Sequence, residues 1–272
     1  MFKGVLKEQA VQVGIGFVLI VVLLGTFILP EWMSNNFMYG LSRGLAVLGL
    51  MILWRTNLVS FGHALFYGFG AYAVAIAQKY LGITDIFLRV IIAIVAAGLL
   101  GFVLGFILRK YREIFFAMLS LAFSMVLYGL LAKAEFLGST DGMSISPSTI
   151  FGLELGRFGL FYFIGFIVIL SLIFAHCYLR SSLGHLTTAI SDNEIRVEYL
   201  GYSVEKAIHI KYVISACLAG GAGGLMAASL GQVDPDSMVL WSVSGELVFV
   251  TIMAGLGNIL APFVGAIFFE FI

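Results

Sequence analysis

The sequence predicts an all-α polytopic integral membrane protein with roughly 8–9 transmembrane or re-entrant helices, and three observations predict it. First, of the 272 residues 61% are hydrophobic and 11% charged, and the mean hydropathy is +1.07. That leaves too little polar surface to cover a soluble globule. Second, several uninterrupted apolar runs approach the ~20 residues a helix needs to cross hydrocarbon, whereas barrel strands are shorter and alternate in polarity. Third, the basic residues are segregated. Lys3, Lys7, Arg55, Arg109, Lys110, Arg112, Arg180, Arg196, Lys206 and Lys211 fall on one side of the predicted spans, and Lys79, Arg89, Lys133 and Arg157 on the other, with Arg43 inside a span. The positive-inside rule makes the first side cytoplasmic, and with it the N-terminus and the loop 180–211. The chain reads as one transmembrane domain, 1–272.

Residues 11–29 predict the first span. The run is too long for a signal-peptide core and ends in Pro30-Glu31-Trp32 without a small-residue cleavage pattern. Pro30 stops the helix and Trp32 suits the outer interface. Residues 37–54 predict a second span, with Gly40 and Gly44 at GxxxG spacing around Arg43. Two readings of Arg43 stay open: it snorkels to headgroups from a turn or two deep, or it lines an interior cavity.

The run Asn57 to Ala64 puts Asn57, Ser60, Gly62 and His63 at the head of a third apolar stretch, 65–77, which carries Gly68, Gly70 and Tyr72. Polar, helix-weakening residues there predict a broken or re-entrant helix and make Ser60, Gly62, His63, Gly70 and Tyr72 candidate pathway residues. Close packing at the glycines and a satisfied interior histidine are the plainer alternative. A fourth span, 90–108, has a small face at Gly98, Gly101 and Gly105 and is anchored by Arg109, Lys110 and Arg112. The fifth, 114–132, aligns Ser120, Ser124 and Tyr128 on one side, as interhelical hydrogen-bonding groups or as contacts to a solute.

Residues 133–159 form the main extracytoplasmic segment, in which Gly138-Ser139-Thr140-Asp141-Gly142 is a turn whose amides suit a small anion or dipole. A sixth span covers 160–179. A seventh, 212–230, holds Gly220-Gly221-Ala222-Gly223-Gly224, which is embedded in apolar sequence without the GxxxxGK[ST] pattern and therefore reads as tight helix packing or as a helix that must move. Ser244-Gly245-Glu246 then opens a short run to Gly257, with Glu246 either a pathway acid or a helix-dipole acid. Pro262 divides off 263–272, which is too short to span alone and reads as an incomplete last helix or a truncated chain. Cys177 and Cys217 are expected to be small buried hydrophobes without a disulfide.

The stretch 180–211 must lie in water. As one helix it places Leu186, Ala189, Ile190, Asn193, Val197 and Leu200 on one side. Thr188, Ser191, Asp192 and Glu198 face away together with Ile195 and Tyr199, an apolar pair at i, i+4 suited to a partner's groove. Gly201 supplies a helix stop.

Several motifs in one order resemble the M-type membrane subunit of bacterial branched-chain amino-acid ABC importers. They are Leu58 to Ala64 with Gly70-Ala71-Tyr72, Ser139-Thr140-Asp141-Gly142, Ala189 to Gly201, and Ser244-Gly245-Glu246 to Gly255-Leu256-Gly257. The resemblance covers nearly the whole chain. It implies a permease heterodimer with a second permease subunit, two ATP-binding subunits that carry ATP and Mg, and a periplasmic solute-binding protein, in the bacterial inner membrane. It also implies that 180–211 contains the cytoplasmic coupling helix, with His185, Asp192, Asn193, Glu194, Ile195, Arg196, Glu198, Tyr199 and Gly201 facing the ATPase. Ser60, Gly62, His63, Gly70, Tyr72, Ser120, Ser124, Ser244, Gly245 and Glu246 would belong to the translocation route, and Ser139, Thr140, Asp141 and Gly142 to the binding-protein side. Two departures stand out: Ser191-Asp192 replaces the more usual arginine and glutamate, and the final helix stops without a basic tail.

No cofactor, metal site or nucleic-acid partner is expected on the chain itself. The runner-up functions are an ion-coupled secondary transporter or channel, for which only Arg43, His63 and Glu246 are available as relays, and an intramembrane enzyme, for which no HExxH pattern exists. Within the importer reading, branched-chain amino acids come first, with urea, short amides and aromatic acids as the alternative cargo.

Overall fold

The computed structural model describes residues 30–150 and 152–272; the predicted span 11–29, with Lys3 and Lys7, lies outside them. Among the described residues six helical stretches are long and apolar enough to cross a membrane. Five are single helices: α1 (Glu31–Trp54), α3 (Ile86–Leu108), α4 (Glu113–Lys133), α5 (Arg157–Arg180) and α8 (Val204–Leu230). The sixth joins the short α9 (Pro235–Met238) to α10 (Trp241–Ala254). Also present are α2 (His63–Leu81), the loop helices α6 (Ser182–Asp192) and α7 (Glu194–Tyr199), and α11 (Ala261–Glu270). The described residues are those of a mostly helical polytopic membrane protein.

The core is built around α8, which packs against α1, α2 and α3. Its glycine run brings backbones together. A β-carbon on Gly70 of α2 would run into Gly220, and one on Gly223 would run into the Tyr67 carbonyl. With no side chain at either crossing the two backbones touch, and dispersion replaces the missing apolar bulk. Gly40 and Gly44 do the same for α1 against Ile267 and Phe263 of α11.

Both central chain segments are broken. Ser215 of α8 donates to the Gly49 carbonyl at 2.6 Å and lies 3.0 Å from His63 Nε2. The first residue of α2 thus sits beside Gly49, five residues before the end of α1 and about 7.5 Å inside it. Residues 58–62 re-enter the bundle to reach that point. On the other side α8 ends at Gly231 in the left-handed region (φ 71°). The chain then runs back along α2, with Met238 and Val239 against Gly68 and Ser244 against Ala64, before α10 leaves.

Several boundaries differ from the sequence reading. The seventh span begins eight residues early (212 − 204), because Ser203 caps the Lys206 amide and the first turn of α8 is tied down by the Arg109–Glu205 ion pair at 3.4 Å. Lys211 is therefore interior to a helix. The loop 180–211 is not one helix. Asn193 is extended (φ −165°, ψ 105°) and its side chain accepts from the Arg196 amide at 3.0 Å, so it ends α6 and starts α7. That break shifts the helical phase beyond it, so Val197 stays buried and Leu200 is exposed; before it Ile190 is buried, and Ala189 and Asn193 are exposed. The cysteines are free but not buried, Cys177 being exposed on α5 and Cys217 half-buried.

At the end away from the basic residues, β1 (Met143–Ser144) pairs antiparallel with β4 (Gln232–Val233), and β2 (Thr149–Ile150) with β3 (Leu153–Glu154). Arg89, fully buried near the start of α3, holds this region to the bundle. It donates to the carbonyls of Ile83 and Ser146, to Ser148 Oγ and to Gln78 Oε1 at 2.9–3.1 Å.

Candidate functional site

The basic end carries the clearest candidate surface. Ser181 joins α5 to α6 directly, donating to the Tyr178 carbonyl while accepting from the Gly184 amide. Glu194, at the start of α7, turns inward: both carboxylate oxygens accept from Arg112 Nε at 2.8 and 2.9 Å. Val197 is buried one turn later. Ile195 and Tyr199 project outward, 65% and 87% exposed, and Leu200 and Tyr202 extend the same apolar surface. Gly201 ends α7 at φ 85°; its amide bonds to the Glu198 carbonyl and the Tyr202 amide to the Val197 carbonyl, so the stop is a Schellman motif. His185, Asp192, Arg196 and Glu198 are exposed along the two helices.

Two bonds tie this surface to the membrane bundle. Arg112 lies between α3 and α4 and also donates to the Arg109 and Tyr111 carbonyls, which makes the Glu194 contact part of a fixed bend. Asn57, with φ 59°, donates to the Ser191 carbonyl at 3.2 Å from the turn that precedes the re-entrant segment. A polar cleft of about 290 Å³ lies between the two connections, lined by Thr56, Asn57, Arg112, Glu113, Asp192 and Glu194 among others. Arg55 at the same end donates twice to the Leu256 carbonyl, at 3.1 and 2.7 Å, and its burial pulls its pKa below the ordinary arginine value.

The predicted pathway residues separate into three places. Ser60, Gly62, His63, Ser120, Ser124 and Ser244 meet at the broken start of α2, and all but Gly62 are at most 2% exposed side by side with it in the core. There Ser244 Oγ accepts from the Ala64 amide at 3.0 Å, capping α2 from α10, while Ser124 donates to the Val239 carbonyl at 3.3 Å. A β-carbon on Gly62 would strike the Ser120 carbonyl. Because Ser215 gives its proton to Gly49, it takes one from His63 Nε2, which leaves Nδ1 a buried acceptor without a partner among the described residues. Gly70 lies at the α8 crossing, and Tyr72 is buried with no partner for its hydroxyl among the described residues.

Gly245 and Glu246 face elsewhere. Glu246 pairs with Arg43 at 3.2 Å, and Arg43 also pairs with Glu270 at 3.1 Å beneath the Phe269 ring. Arg43 is twelve residues from Glu31 and eleven from Trp54, at least about 16 Å from either end of α1, too deep to snorkel. Its charge is satisfied inside the protein instead. Tyr128, the third member of the α4 stripe, donates to Asp236 at 2.7 Å.

On the far end Ser139 (φ 52°) donates to the Ala132 carbonyl at 2.6 Å, and Gly142 (φ 74°) packs against the Val233 carbonyl, leaving Thr140 and Asp141 exposed at the tip. An apolar cavity of about 500 Å³ opens between α1, α3, α5 and α8, lined by residues such as Leu45, Ile94, Phe174 and Leu218, and has nothing to bind a charged solute. Sequence reasoning missed the inward partners Arg112, Ser215 and Glu270. The i, i+4 pairing of Lys211 with Ser215 was the available signal that the start of α8 carries a buried polar face.

Known proteins resemble this chain in sequence. Residues 32–272 match a family described as branched-chain amino acid transport system, permease component. The high-affinity branched-chain amino acid transport system permease protein LivM of Escherichia coli is 31% identical over 250 residues, which cover 81% of this chain and 58% of that protein. LivM of Salmonella typhimurium is 29% identical with the same coverage. A probable branched-chain amino acid transport permease protein LivH of Methanocaldococcus jannaschii is 25% identical over 77% of this chain and 67% of its own. The chain thus spans 58% of the length of the two LivM relatives. No solved structure matches it. Since the family match runs from Trp32 through the re-entrant segment and the α6–α7 surface to the last residue, the chain belongs to the branched-chain amino acid transport permease family.

Proposed function

We propose that this chain is the transmembrane permease subunit of an ATP-driven ABC importer for small amino acids, leucine, isoleucine and valine foremost. The observation that carries the reading is the exposed pair Ile195 and Tyr199 on a helix whose opposite side is bonded into the bundle through Glu194 and Arg112. Two apolar knobs one turn apart fit a groove on a partner. No carboxylate, metal or nucleophile on the chain is needed for the energy step, which enters from outside: two ATP-binding subunits hold ATP and Mg. A second permease subunit completes the membrane unit and a periplasmic solute-binding protein delivers the cargo to the Thr140–Asp141 side. The chain sits in a bacterial inner membrane with the basic end, the coupling loop 180–211 and the N-terminus in the cytoplasm.

The mechanism follows from the two connections. Closure of the ATPase pair pushes on Ile195 and Tyr199. Through Arg112 the push reaches the bend between α3 and α4, and through Asn57 and Ser191 it reaches the turn before the re-entrant start of α2. The node at Ser60, Gly62, His63, Ser124 and Ser244 is closed in this structure, so it is where movement of α2 against α4 and α10 opens or seals the route. An ion-coupled transporter would need free carboxylates in the bundle, and Glu246 and Glu270 are both held by Arg43.

The test is ATP hydrolysis by the subunit purified with its operon partners in lipid, with and without candidate solute-loaded binding proteins. Several-fold stimulation by one loaded binding protein is expected and names the cargo. A subunit that recruits no ATPase yet still moves solute sinks the proposal.

A further inference from the structure

Two cations are fully buried among the described residues, Arg89 and Lys211. Arg89 uses its donors on four acceptors, whereas Lys211 Nζ has no hydrogen-bond partner among the described residues. A buried ammonium without an anion is strongly unfavourable, and the penalty persists in a folded protein only where something offsets it. Of the described carboxylates, Glu194 is committed to Arg112, Glu205 to Arg109, and Glu246 and Glu270 to Arg43. Glu113, Asp192 and Glu198 are exposed.

The position of Lys211 says what the missing anion is. It lies one turn from Ser215 on the same face of α8, and Ser215 touches both the Gly49 carbonyl and His63. Lys211 is thus one turn toward the basic end from the start of α2. A helix start carries partial positive charge, and the side chains that cap this one, Ser60 and Ser244, are neutral hydroxyls. Two positive features thus lie about one helical turn apart along the bundle on the basic side of the closed node, and the ammonium has no hydrogen-bond partner among the described residues.

We infer that Lys211 docks the carboxylate of the cargo as it leaves the node toward the basic end, and so makes the route favour carboxylate-bearing solutes over neutral ones such as urea or a short amide. The inference rests on the importer reading for its direction, but the binding itself does not. A carboxylate stripped of water gains an ammonium partner there, while a neutral solute gains nothing comparable. A partner subunit's carboxylate or a lipid headgroup would have to reach Lys211 through the packed faces of the bundle. A diffusible solute reaches it when those faces part.

Two measurements test this with Lys211→Met and Lys211→Arg. In the substrate-free subunit Lys211→Met removes an unpaired buried charge, so its thermal unfolding midpoint is expected to rise. Leucine at high concentration should raise the wild-type midpoint, leucinamide should not, and Lys211→Met should lose the response to leucine. In the assembled importer with saturating loaded binding protein, Lys211→Met should lower leucine uptake by at least about tenfold while stimulated ATP hydrolysis stays within about twofold, and Lys211→Arg should recover most of the uptake. Uptake by Lys211→Met within about twofold of wild type overturns the inference. So does a lowered midpoint, which assigns the ammonium a structural role, or a leucine response that survives the substitution. Absence of ATP-driven uptake by the wild type sinks the importer reading instead, and the leucine and leucinamide shifts then still decide the role of Lys211.

Discussion

The α8 core and the α6–α7 surface hold their neighbours by opposite means. Along α8 the side chains are removed, so that Gly223 lets α2 approach backbone to backbone and Gly220 lets α3 come in at Ala93 and Ala97. The α6–α7 segment keeps its side chains and is held mainly by directional contacts, the Glu194–Arg112 pair and the Asn57–Ser191 bond, beside the buried Ile190 and Val197. The first kind of contact leaves no slack, since interiors are close-packed and an added methyl has nowhere to go. The second kind can be lost without unpacking anything. On the importer reading proposed above, a transmission element has to be rigid at one end and releasable at the other, and the molecule divides the two properties between these regions.

The largest effect is therefore expected in α8. Gly223→Ala sets a methyl against the Tyr67 carbonyl, and the backbone cannot move aside as a side chain could. Overpacking of this kind costs about 3 kcal/mol, and we expect loss of the folded, monodisperse subunit after extraction. Gly129→Ala in α4, where the new methyl meets nothing within 4 Å, is the matched control and should be neutral. Equal behaviour of the two variants in a thermal unfolding assay would remove the distinction between the regions.

A second prediction inverts the pattern. Tyr199→Asp changes a side chain that is 87% exposed and touches none of the core. The unfolding midpoint should stay within about 1 °C of wild type, as surface substitutions usually leave stability within about 0.5 kcal/mol. ATPase recruitment, read by co-purification, should be lost, because a charge replaces a knob that the partner's groove must desolvate. Recruitment at the wild-type level would place the partner's groove elsewhere.

Most of the architecture was legible because it follows from one-dimensional signals. Apolar runs marked the helices, the Gly220 to Gly224 run marked the tight crossing, and the polar head at Asn57 to His63 marked the break before α2. The outward pair Ile195 and Tyr199 was legible for the same reason, since their spacing survives inside α7. What failed involved partners distant in sequence or a local change of phase. Asn193 accepts from the Arg196 amide and so interrupts the helix, which rotated Leu200 to the surface; a helical wheel assumes no such cap. Glu194 was placed among the partner-facing residues although it turns toward Arg112, 82 residues away. One of the two readings of Arg43 set it a turn or two deep because the start of its helix was placed at Phe37 rather than Glu31, and its two glutamates come from α10 and α11. Periodicity shows which face a residue occupies, but not which charge waits on the other side.

The smallest effect, and the sharpest, concerns the contact between the two regions. Arg112 and Glu194 side chains are 28% and 34% exposed, so their ion pair contributes only about 1 kcal/mol to stability. Arg112→Gln and Glu194→Gln should each leave the subunit folded but lower uptake per ATP hydrolysed a few-fold, roughly the effect of about 1 kcal/mol lost from one coupled state. The double variant should be no worse than either single one, because both remove the same bond. Exchanging the charges, Arg112→Glu with Glu194→Arg, restores the attraction. It cannot restore the donations from Arg112 to the Arg109 and Tyr111 carbonyls that hold the bend between α3 and α4. Recovery is accordingly expected to be partial. Full recovery would mean that the attraction alone carries the push, and additive losses in the double variant would mean that the two residues act through separate contacts.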